Sequence, residues 1–117
     1  MKKQIPKFML YTKPDNETVT LLLPNQRAAL CLFSRPRLAW EFKNKVPDVK
    51  DMEVGGPMTT EELLEELAKQ PDGGFVASDP EPEGDSVYCV EASRLREAVK
   101  QGETEIDFEV IPLELHR

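Results

Sequence analysis

The sequence predicts an α+β fold: a mixed β-sheet of about five to six strands with about three helices, in the order β-β-β-α-α-β-β-α-β. Three observations carry this. Strand-like runs come before the first helix signals, so strands and helices do not alternate as a doubly wound fold requires. The run AALCLF at 28–33 is apolar throughout, the pattern of a central strand covered on both faces. The stretch TTEELLEELAKQ at 59–70 opens with a capping box and carries one apolar stripe, the pattern of a helix lying on a core.

At 117 residues the chain is expected to form a single domain, residues 1–117, long enough to bury about 65% of its unfolded surface without disulfide or metal staples. Ten prolines predict short elements with abrupt ends.

FMLYT (8–12) and TVTLLLP (18–24) read as strands, and the KPDNE between them has the residues of a turn, so a hairpin is expected. AALCLFS (28–34) follows as the central strand. Ser34 is the expected cap of the next helix, with Pro36 in its first turn, where a missing N–H costs nothing. In PRLAWEFKNKV (36–46), Leu38, Phe42 and Val46 recur every four residues beside Ala39 and form the core stripe. Trp40 points about 200° away from Leu38, onto the side shared with Arg37 and Asn44.

PDVKDMEVGGPM (47–58) is a connection with a short extended piece around Val54. In the 59–70 helix, Thr59 and Glu62 form the capping box, Leu63, Leu64, Leu67 and Ala68 face inward, and Glu61, Glu62, Glu65 and Glu66 face out. GFVASD (74–79) and SVYCVEA (86–92) read as strands joined by the exposed loop PEPEG. SRLREAVKQG (93–102) is a short helix capped by Ser93 and ended by Gly102. In TEIDFEVIPLELH (104–116) the apolar parity flips after Val110. A bulge near Ile111–Pro112 would produce that flip, and Pro112 argues for an edge strand.

The formal net charge of −7 hides an asymmetry: residues 1–50 hold ten Lys/Arg against four Asp/Glu, and residues 51–117 hold five against eighteen. Either the fold mixes the two halves, or the molecule has a basic and an acidic face suited to self-association or to a charged partner. The overall negative field argues against nucleic acid. No apolar run is long enough to span a bilayer, and the apolar stretch after MKKQIPK is too short for a signal peptide, so a cytoplasmic protein without membrane contact is expected. Cys31 and Cys89 match no metal spacing and read as buried thiols.

No catalytic constellation is legible. The only histidine, His116, sits next to the C-terminal residue, and no phosphate-cradling glycine motif is present. Asp79, Glu81, Glu83 and Asp85 alternate like calcium ligands, but prolines interrupt them and the terminal glutamate is missing. The expectation is therefore no enzyme, no cofactor and no metal. A polar pocket around Arg35, Asp79 and Asp85 would reverse it. What folding logic leaves unexplained is Arg35, Arg37, Trp40 and Asn44, the candidate partner-binding residues.

The segments CLFSRPRLAWEF, MTTEELLEEL, GGFVASDP and VYCVEASRLREAV together resemble the SseB-like (enhanced serine sensitivity) N-terminal-type domains over about residues 18–101. ASDP stands where that family prefers an asparagine–proline pair. The resemblance implies an α+β fold in a bacterial cytoplasm and supplies no catalytic residues. The expected function is a non-enzymatic protein-binding or regulatory module forming a homodimer. The alternative is an acidic inhibitor or immunity-type protein for a basic partner.

Overall fold

The structure is a computed structural model and describes residues 1–113. It is α+β, as the sequence predicts, with three α-helices and nine strands among the described residues, five of the strands in one mixed sheet. The strands are β1 (Lys2–Gln4), β2 (Met9–Tyr11), β3 (Thr20–Leu22), β4 (Ala28–Leu32), β5 (Glu53–Gly55), β6 (Phe75–Ser78), β7 (Ser86–Glu91), β8 (Glu105–Asp107) and β9 (Glu109–Pro112). The helices are α1 (Pro36–Lys45), α2 (Thr60–Ala68) and α3 (Ala92–Lys100), with a 3₁₀ turn at Pro47–Val49 after α1.

The main sheet has the order β3-β4-β6-β7-β9, and β4 and β6 at its centre are parallel. As the unbroken apolar run predicts, β4 sends alternate side chains to two cores. Leu30 and Leu32 join Val76, Val90, Leu63, Leu67, Leu95 and Val99 under α2 and α3. Ala29, Cys31 and Phe33 join Ala77, Val87, Cys89 and Ala39 under α1. The sheet is therefore a middle layer, with α1 on one side and the α2/α3 pair on the other.

Thr59 and Glu62 form the expected capping box: the Thr59 hydroxyl accepts the Glu62 amide at 3.2 Å and the Glu62 carboxylate accepts the Thr59 amide at 3.1 Å. The extended piece at Val54 is β5.

Several expectations are corrected. The strand count exceeds five to six because two extra two-stranded ribbons form, β1 with β8 and β2 with β5. Each of these strands is three residues long, too short to show a period of two in sequence. The 8–24 hairpin closes only at its neck: Asn16 donates to the Thr12 carbonyl, Thr12 donates to Glu17, and one bridge joins Tyr11 to Thr18. Beyond that rung the strands part, β2 to pair with β5 and β3 with β4.

The parity flip near the C-terminus comes from a change of sheet at Phe108 and not from a bulge at Ile111–Pro112. Phe108 donates to the Met1 carbonyl and closes the β1–β8 ribbon, and the chain then joins β7 as β9. Pro112 does lie on an edge strand. Neither Ser34 nor Ser93 caps a helix. Arg35 stands at the cap of α1 and Glu91 at that of α3, both without a side-chain bond.

Candidate functional site

The site begins at the ends of the parallel strands. Because Leu32 of β4 lies beside Ser78 of β6, the chain leaves both strands at the same edge, where ligands of open parallel sheets bind. Asp79 follows β6 in the left-handed region, φ 51°, which aspartate tolerates better than most residues. Its amide donates to the Leu32 carbonyl at 2.9 Å. That turn aims its carboxylate at Ser34: Oδ1 accepts the Ser34 amide and Oδ2 the Ser34 hydroxyl, both at 2.7 Å. Ser34 is not the cap: α1 begins at Pro36 with Arg35 in the cap position, and the Ser34 side chain one residue earlier is turned toward Asp79.

Lys3 of β1 completes the corner. Its Nζ is 3.6 Å from Asp79 Oδ2 and 4.4 Å from the Tyr88 ring centroid. Lys3, Asp79 and Tyr88 line a groove of about 500 Å³, walled by Leu38, Phe42 and Lys45 of α1. Asp79 lines this groove, whereas Arg35 and Asp85 are not among its lining residues. Among the described residues, no three His, Cys, Asp or Glu side chains gather as a metal site, and Asp79 is held by Ser34. His116 lies outside the described residues.

On the other side of Pro80–Pro82 is a second, more apolar cavity of about 410 Å³, lined by Val19, Leu21, Cys31, Val46, Val87 and Leu113. Cys31 and Cys89 are buried free thiols. Burial pushes Cys31 up to about 12, helped by the nearby Cys89, and burial together with Glu109 raises Cys89 to about 11. Both therefore stay protonated and poor nucleophiles at neutral pH.

The predicted binding residues lie on the outer side of α1. Arg37, Trp40 and Asn44 are all exposed at a spacing that puts them on one face, and Arg35 is exposed just before the helix. Trp40 is 55% exposed. The 47–58 connection does not cover it. Lys43 reaches past the indole, 5.2 Å from its ring centroid, to donate to the Met52 carbonyl at 2.7 Å. Arg37 pairs with Glu41 at 3.1 Å.

The charge asymmetry is partly dissolved and partly kept. Lys2 stands opposite Asp107, Lys13 pairs with Glu53 at 3.2 Å, and Lys3 pairs with Asp79, so the strands mix the halves. The helices do not: α1 keeps Arg37, Lys43 and Lys45, while α2 on the other side of the sheet keeps Glu61, Glu62 and Glu65.

The Ser34–Asp79 clasp had no signal in the sequence, because its partners are 45 residues apart and meet only through the parallel pairing. No family model, no curated protein and no solved structure matches this chain.

Proposed function

We propose that this protein is a non-enzymatic, self-associating protein-binding module whose recognition face is the outer side of α1. The observation that carries this is the exposed Trp40, an indole that the core stripe of its helix does not use. Large aromatic side chains flanked by arginine dominate the energetics of protein interfaces. Arg37 and Asn44 supply directional donors beside it, and the basic helix suits an acidic partner surface. The SseB-like resemblance rests partly on this same strand–helix segment and is compatible with such a role. We place its action in the cytoplasm, where buried thiols stay reduced.

A photo-crosslinker at Asn44, in the cells that make the protein, tests the reading. A discrete protein adduct is expected, lost in Trp40→Ala and in Arg37→Glu. An adduct indifferent to both substitutions, or none, overturns it. The exposed Glu61, Glu62 and Glu65 of α2 favour a second reading, an acidic inhibitor of a basic protein. A crosslinker at Glu65 that captures a basic protein, with none at Asn44, would establish that reading instead.

A further inference from the structure

Among the described residues, no strand pairs with the outer edge of β3 in the main sheet. Its register sets Thr20 opposite Leu30, Leu21 opposite Ala29 and Leu22 opposite Ala28. Cys31 donates to the Val19 carbonyl and Leu23 to the Arg27 carbonyl, both at 2.9 Å. Antiparallel ladders bond alternate residues, so Val19, Leu21 and Leu23 face β4 while the N–H and C=O of Thr20 and Leu22 point away from it. Those outward groups have no backbone partner among the described residues. Leu22 is 65% exposed.

We propose that a second copy of this chain docks here, its β3 antiparallel to the first about a two-fold axis through Leu21, joining the two main sheets into one. The inference rests on the self-association in the reading above but not on the α1 face. Four features select a second copy. With the axis at Leu21, Thr20 meets Leu22 of the second copy and Leu22 meets its Thr20, so all the outward backbone groups pair at once. Residues 18–24 carry no charge in a chain of net −7, so two copies meet without like-charge contact, and a charged partner has nothing to read.

The third feature is the opposite edge. Leu113 donates to the Asp85 carbonyl, so the outward residues of β9 are Val110 and Pro112. Pro112 has no N–H to offer, and Glu109 adds charge beside Val110. Growth at β3 alone closes at two copies and cannot run on into a filament. The fourth is the apolar cavity, of which Val19, Thr20 and Leu21 form one wall. The two Leu21 residues would stand as a close, non-hydrogen-bonded pair on that face, with Cα atoms about 4.5 Å apart, and cover the cavity mouth.

Sedimentation velocity on the full chain, from about 1 µM to about 1 mM, is expected to show a monomer–dimer equilibrium. Leu22→Lys should raise the dissociation constant at least about tenfold while leaving thermal unfolding of the dilute monomer unchanged, because the side chain is exposed and two copies would bring lysines to one interface. Val110→Lys on the other edge should leave the dimer intact. Raising salt from about 50 mM to about 500 mM should hold or tighten the dimer, since it screens the net −7 repulsion. Leu21→Cys should oxidise readily to a disulfide-linked dimer and Val110→Cys should not.

A monomer throughout overturns the inference, as does a dimer that Leu22→Lys spares or that high salt dissociates. None of these results touches the α1 reading, and loss of the Asn44 adduct leaves the dimer prediction standing.

Discussion

The carboxylate of Asp79 holds Ser34 twice, accepting a hydrogen bond from its amide on one oxygen and from its hydroxyl on the other. The clasp ties together the two chain segments that leave the parallel strands β4 and β6, and so fixes where α1 starts. Asp79→Ala removes both acceptors, strands a partly buried amide and places alanine at φ 51°; the expected loss is about 2–3 kcal/mol. Asp79→Asn keeps one acceptor and tolerates the left-handed backbone, so about 1 kcal/mol is expected. Denaturant titration distinguishes them, and no loss in either variant would mean that the clasp contributes nothing.

Trp40 is the chain's only tryptophan, so its fluorescence reports on α1 alone. An emission maximum typical of a solvated indole and ready quenching by iodide are expected. Trp40→Ala should change stability by no more than about 0.5 kcal/mol, as for other exposed positions. A blue-shifted, unquenched emission would contradict the exposure on which the α1 reading depends.

Two glycines separate backbone strain from lack of space. At Gly56, φ is 121° and an added Cβ would lie 2.5 Å from the Lys7 carbonyl oxygen. Gly56→Ala should therefore cost about 3 kcal/mol or more. Gly102, at φ 76°, has open space around it, so Gly102→Ala should cost only about 1 kcal/mol, the left-handed penalty alone. Thermal unfolding of the two variants side by side measures the difference.

The buried Cys31 thiol makes the fold sensitive to alkali. Its pKa rises in the folded state from 9.0 to about 12, so the folded chain keeps a proton that the unfolded chain releases. Its contribution is fully present below pH 9.0 and is lost as pH rises toward about 12, at up to about 1.4 kcal/mol per pH unit. Urea melts between pH 8 and pH 11 (about three pH units of range) should show Cys31→Ala declining less steeply than the wild type. Parallel slopes would show that the thiol is not desolvated. Cys31 and Cys89 flank Ala77 in register on adjacent strands, about 10 Å apart, so oxidation should not join them within one folded chain.

What could be read in advance follows sequence distance. The capping box of α2 joins residues three positions apart, and the two-sided burial of β4 is written in an apolar run of six, so both were legible. The exposed face of α1 was legible for the same reason, since a helix converts spacing directly into direction. The β2–β3 hairpin misled because its turn is local but its strands have partners elsewhere. β2 binds β5 more than forty residues on, a competition that no turn residue encodes. Ser34 has the chemistry of a helix cap, and only the arrival of Asp79 beside it redirects the hydroxyl.

The sequence by itself determined the α+β class, the central strand, the capped acidic helix and the residues that folding does not need on α1. These rest on periodicity and capping, which act within a turn or two of chain. Tertiary structure alone decided the two small ribbons, the switch of sheets at Phe108, the Ser34–Asp79 clasp and the open edge at β3. Each of these depends on which distant backbone groups reach a given N–H or C=O first, and loop closure and the competing packing of both cores settle that together.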